Sequence, residues 1–136
     1  METVVWTEAL SVGVERIDEQ HKKLVAMLGQ LQQAVGSGQG QCVSAEIVAQ
    51  MRQYAKEHFK TEEEAMTASR YPGRTSHVAE HDSFIEKVLD VEDALGLKDE
   101  ALAKDILDFL LHWLAGHIQG PDKVLGEHLV ACGQAV

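Results

Sequence analysis

Histidines and carboxylates recur at one-turn spacing in the stretch from His58 to His81, HFKTEEEAMTASRYPGRTSHVAEH. His58 and Glu62 stand four residues apart at its start, and His77 and His81 four apart at its end. On an α-helix such a pair lies one turn apart on one face. Each pair is therefore a two-donor row of the kind that holds a metal ion. Between the rows, Ser69-Arg70-Tyr71-Pro72-Gly73 carries a proline and a glycine that interrupt a helix and permit reversal. Two helices meeting at that turn, with their rows facing, would aim four donors at one point.

In the remaining chain, three more donors occupy apolar seams. His21 takes the seam position after Ile17 in a row continued by Leu24, Leu28, Leu31 and Val35. His117 closes the line Leu102, Ile106, Phe109 and Trp113, and Asp122 follows five residues later. A lone histidine on an apolar face is more often a hydrogen-bonded core residue, and the run Glu62-Glu63-Glu64 alone reads as a solvated face. The conjunction reads differently. Burying five imidazoles and two carboxylates without a partner costs several kcal/mol for the carboxylates alone. A domain whose net stability is about 5–15 kcal/mol does not carry that, whereas a multivalent cation removes the cost. His112 and His128 fall off the seams and read as structural, His112 with Asp108 as a surface partner.

The elements that must position these donors follow from the same periodicity. Residues 1–16 read as an irregular arm anchored by Trp6 and Leu10. Helices are predicted at about 17–36, 44–68, 75–95 and 99–131, with Ser44 capping the second and Thr75 or Ser76 the third. Helix two presents Ile47, Met51, Tyr54, His58, Glu62 and Ala65 or Met66. Helix three presents His77, His81, Phe84, Val88 and Leu95, flanked by Ile85 and Leu89. Short turns between four amphipathic helices predict an all-α, up-down-up-down antiparallel four-helix bundle spanning residues 1–136 as one domain. A five-residue step from His117 to Asp122 turns about 140° on a regular helix, so the two side chains would diverge. Pro121 removes a helical hydrogen bond there. A bulge near Ile118–Asp122 is therefore expected, swinging Asp122 back toward His117.

Bulk properties narrow the class. The chain has 136 residues, 45% of them hydrophobic, and only two prolines, which fits a folded domain with a real core. A net charge of −10 argues against nucleic acid and anionic membrane surfaces. No apolar run reaches membrane-spanning length, and METVVWTEAL has no apolar signal region. The expected location is the cytoplasm, with no membrane insertion. Cys42 and Cys132 form no CxxC pattern and are expected to be unpaired thiols.

Seven donors exceed the needs of one tetrahedral zinc. They suit two metals sharing carboxylate bridges with one position open, and mixed imidazole and carboxylate donors accommodate iron. IDEQH (17–21), HFKTEE (58–63), HVAEHDSF (77–84) and WLAGHIQGPDKVL (113–125) resemble the hemerythrin family, single-domain bacterial form. The resemblance implies reversible dioxygen binding at a non-haem di-iron centre, for carriage, storage or delivery, without an enzymatic activity. It implies that His77, His81 and His117 hold one iron and His21 and His58 the other. Glu62 and Asp122 would bridge them with an oxo or hydroxo group, and dioxygen would sit on the two-histidine iron as hydroperoxide. Phe59, Trp113 and Leu114 match family positions around the dioxygen pocket, and Ala115 is counted in the pocket as a departure from the family pattern. Ala115 and Gly116 are small, which predicts a roomier pocket. The chain is taken as a monomer with dioxygen as its partner.

Three other readings compete. His77-Val78-Ala79-Glu80-His81 matches HxxEH, in which Glu80 would act as base beside zinc, but it leaves His21, His58 and His117 unexplained. Di-iron oxidases and iron-storage bundles use four carboxylates and two histidines in Glu-x-x-His motifs, a pattern not repeated here. Nitric oxide or oxygen sensing would call for an attached output domain, for which 136 residues leave no expected room.

Overall fold

Residues three and four apart on α1 (Glu15–Gly36) form a buried face, in which Ile17, Leu24, Leu28 and Leu31 are apolar and His21 is the polar member. The computed structural model describes residues 5–36 and 41–133. α2 (Gln41–Ala68), α3 (Arg74–Gly96) and α4 (Glu100–His117) follow, and a π-helical turn, Ile118–Asp122, joins α4 to α5 (Lys123–Ala131). α1 packs on α2, α2 on α3 and α3 on α4, and α1 closes against α4. The architecture is an all-α four-helix bundle, with no strand among the described residues. Its core runs through Leu24, Leu28, Met51, Phe84, Val88, Leu107, Leu110, Leu111 and Leu114. Each such side chain contributes about 1.5–3 kcal/mol when fully buried. No described helix is long and apolar enough to cross a membrane.

Helix ends differ from the expected caps. α2 is already helical at Gln41, so Ser44 lies inside its first turns and is buried instead of capping it. The glycines of Gly36-Ser37-Gly38-Gln39-Gly40 are expected from the sequence to end the first helix, and residues 37–40 lie outside the described residues. Gly73, not Thr75 or Ser76, precedes α3. The fourth start does carry a side-chain cap, because Asp99 accepts the Leu102 N–H at 3.0 Å. α2 and α3 both end in a six-to-one backbone closure, Tyr71 N–H to the Met66 carbonyl and Asp99 N–H to that of Ala94, each 2.9 Å. The left-handed residues in these closures are Arg70 (φ 55°) and Lys98 (φ 59°), not glycines.

The inward face of α4 is rotated by one residue from the expected line. Ala103, Leu107, Leu110, Leu114 and His117 are buried, whereas Leu102 and Phe109 are 45% and 50% exposed. α4 is apolar on most sides, so spacing alone admits two faces, and packing against α1 and α3 selects the buried one. Leu89, Val124 and Val130 are also exposed.

The arm before α1 is partly ordered. A short 3-10 turn at Glu8–Leu10 lies against the π-helical turn, and Leu10 and Val12 are buried. The Asp18 carboxylate pins this arm, accepting the Ser11 hydroxyl at 2.6 Å and the Val12 N–H at 2.8 Å. Val12 in turn packs its backbone against Gly126 of α5, where any Cβ would collide with the Val12 carbonyl oxygen.

Candidate metal centre

All seven expected donors are buried and converge in the bundle interior. His21 comes from α1, His58 and Glu62 from α2, His77 and His81 from α3, His117 from the end of α4, and Asp122 from the π-helical turn. The expected bulge is there. A π-helical turn takes one more residue per turn than an α-helix, and it returns Asp122 to the His117 side, Oδ1 to Nε2 3.1 Å.

The two carboxylates organise the donors into halves. Glu62 Oε2 lies 3.0 Å from His58 Nε2 and 3.3 Å from His21 Nε2, and Asp122 Oδ2 lies 3.0 Å from His21 Nε2. The other oxygens face the opposite way. Glu62 Oε1 is 3.0 Å from His81 Nε2 and 3.3 Å from His77 Nε2, and Asp122 Oδ1 is 2.8 Å from His77 Nε2. One half thus gathers His77, His81, His117, Glu62 and Asp122; the other gathers His21, His58, Glu62 and Asp122.

These short approaches are not aligned as hydrogen bonds. Both oxygens of Glu62, both of Asp122, and Nε2 of His21, His77, His81 and His117 are buried without a hydrogen-bond partner. Leaving such groups unmatched costs roughly 1–3 kcal/mol each, so the cluster fits a ligand and not a packed core. Neighbouring donors at right angles around an ion, each about 2.1 Å from it, stand roughly 3.0 Å apart. The observed separations have that size. Electrostatics agree. Burial disfavours charge on His21 and His77, but the adjacent Asp122 and Glu62 carboxylates outweigh it and raise both to about 9. Burial would likewise raise Glu62 and Asp122, yet the surrounding imidazoles hold both well below the carboxylate range. The site favours positive charge at its centre.

Sequence reasoning missed a ring of acceptors outside the donors. His58 Nδ1 donates to Gln20 Oε1 at 2.7 Å, His81 Nδ1 to Glu63 Oε2 at 2.9 Å, and His117 Nδ1 to Glu80 Oε1 at 3.3 Å. Each places the proton on Nδ1 and leaves Nε2 as a donor toward the centre. Every acceptor is the sequence neighbour of a donor on its own helix and serves a histidine on the next helix. Glu63 therefore does not belong to a merely solvated run. Glu80, the base of the HxxEH reading, is occupied by His117.

The aromatic wall lies mainly over the three-histidine half. Phe59 stacks on His81 with centroids 3.9 Å apart and Trp113 on His117 at 4.5 Å, while Phe59 stands 5.6 Å from His58. Phe84, expected on the inward face of α3 but not in this wall, joins them at 5.6 Å from Phe59 and 5.1 Å from Trp113. Leu114 is buried and Ala115 half-buried. Gly116 is exposed, with open space around it, so its small size does not enlarge the interior. His112 lies on the surface and donates to the Asp108 backbone carbonyl at 2.9 Å, not to its carboxylate. His128 donates to the Ser69 carbonyl at 3.1 Å, tying α5 to the turn between α2 and α3. Cys132 is an exposed free thiol, whereas the side chain of Cys42 lies outside the described residues.

Fold and site together define an all-α bundle protein with a buried histidine and carboxylate centre for cations. Residues 12–129 match the family model described as the hemerythrin HHE cation binding domain. The chain belongs to the hemerythrin family. It is similar to a bacteriohemerythrin of Stenotrophomonas maltophilia, 30% identical over 131 residues, covering 96% of this chain and 84% of that protein. A hemerythrin-like protein of Naegleria gruberi is 33% identical over 117 residues, covering 86% of each. The crystal structure of a wild-type hemerythrin superposes with a TM-score of 0.84 at 27% identity, covering 94% of this chain and 98% of that one.

Proposed function

We propose that this chain binds dioxygen reversibly at two iron ions, acting as a carrier or store and not as an enzyme. His77, His81 and His117 would hold one ion and His21 and His58 the other, with Glu62 and Asp122 shared between them. The observation that carries this reading is the division of labour within each carboxylate. One oxygen of Glu62 and one of Asp122 face the three-imidazole half, and their partners face the two-imidazole half. Iron bound there would supply the electrons that hold dioxygen and return on its release.

The chain's own residues set the outcome. Five neutral imidazoles against two carboxylates stabilise high-valent iron less than a carboxylate-rich set, which favours holding dioxygen over cleaving it. The half with fewer donors leaves more room for an external ligand. Phe59, Phe84 and Trp113 keep water from the three-histidine side. The donors come from all four bundle helices, consistent with residues 1–136 acting as a single domain.

The test is an optical spectrum of the iron-loaded protein through cycles of air and argon. Two irons per chain and a visible charge-transfer band that appears in air and disappears under argon are expected. Repeated turnover of an organic substrate, or uptake that argon does not reverse from the first cycle, moves the assignment to an oxidase.

A further inference from the structure

The outer acceptors differ in charge between the halves. In the three-imidazole half, His81 and His117 each donate Nδ1–H to a carboxylate, Glu63 and Glu80, and His77 Nδ1 has no hydrogen-bond partner. In the two-imidazole half, His58 donates to the neutral amide of Gln20, and His21 Nδ1 has no hydrogen-bond partner. The hydrogen-bond network assigns the amide orientation of Gln20. Its Nε2 donates to Thr61 Oγ1 at 3.2 Å, and that hydroxyl donates to the Glu57 carbonyl at 3.1 Å. Only the amide oxygen is left for His58.

A carboxylate accepting Nδ1–H draws the proton outward and makes Nε2 a stronger donor to a cation; an amide oxygen does so less. We propose that Glu63, Glu80 and Gln20 are positioning residues that make the two halves unequal in their hold on metal. The carboxylates tighten the three-imidazole half, and the amide leaves the two-imidazole half looser and first to exchange. The proposal rests on the two-iron reading of the centre. It goes beyond donor count, because it assigns part of the inequality to three residues that touch no ion. All three are only partly buried, so exchanges between Gln and Glu there leave the core packing in place.

The test loads the protein with ferrous iron under argon, adds excess colour-forming ferrous chelator, and follows iron release. The parent is expected to release its iron in a fast and a slow phase of equal amplitude. Glu63→Gln and Glu80→Gln should each speed the slow phase about 10- to 100-fold and leave the fast one unchanged. Gln20→Glu should slow the fast phase by a similar factor. A gain in retention is not produced by structural damage, so Gln20→Glu decides the matter if a glutamine variant fails to fold. Two irons released at rates that none of the three substitutions moves overturns the proposal and leaves the two-iron reading standing. A parent that binds fewer than two irons overturns both.

Discussion

His117 and Asp122 are five residues apart in sequence, yet Nε2 of one lies 3.1 Å from Oδ1 of the other. The π-helical turn between them makes this possible, and Pro121 sits inside it. With Asp122 anchored at the centre, the bulge should not depend on the proline. Pro121→Ala is therefore expected to keep the parent's iron content, whereas Asp122→Ala, which removes a donor shared by both halves, should lower it to one iron or none. Iron per chain, by a colorimetric assay on purified variants, checks both. Loss of iron from Pro121→Ala would mean that the proline itself imposes the turn.

Removing metal should cost stability. The centre leaves both carboxylates and four Nε2 atoms buried without hydrogen bonds, and a ligand present at about a hundred times its dissociation constant adds roughly 2.7 kcal/mol. The metal-free protein is expected to unfold at least about 3 kcal/mol more easily in urea than the ferrous form under argon. Equal midpoints would show that the cluster is self-sufficient.

Gly126 is a packing glycine. A Cβ there would run into the Val12 carbonyl oxygen, which is backbone and held by the bond from Val12 N–H to Asp18. Gly126→Ala should cost about 1–3 kcal/mol through forced displacement of the arm. Denaturant unfolding measures the loss. A change in the emission of half-buried Trp6, which Lys22 Nζ covers at 5.4 Å from the ring, would report the shift of the arm.

Lys98 offers the opposite change. It is exposed and closes α3 in the left-handed region at φ 59°, a conformation that costs a side-chain-bearing residue about 1–2 kcal/mol. Glycine gives back part of that through its freer unfolded state. Lys98→Gly should therefore stabilise the fold by about 0.5–1 kcal/mol in thermal or urea melts. A destabilised variant would place a needed contact on the lysine side chain.

The bundle and its seven donors were legible in the sequence because both are written at helical spacing. His58 and Glu62, or His77 and His81, share a face by local geometry alone, and His21 replaces a leucine in an otherwise apolar row. The bulge at Pro121 was legible for the same reason, since a five-residue step cannot face one point on a regular helix. The outward rotation of Phe109 was not, because α4 is apolar on most sides and only packing against α1 and α3 selects a face. Nor were the roles of Gln20, Glu63 and Glu80. Each points away from the donor beside it and meets a histidine on another helix, so nothing local marks it. Glu63 in particular looks no different from Glu64 until the helices are brought together. Gly126 is the same kind of case, its requirement arising from a backbone more than a hundred residues earlier in the chain. Helical periodicity determined which residues line the centre; which residues hold those histidines in place was decided by how neighbouring helices meet, because those contacts join side chains that no repeat distance relates.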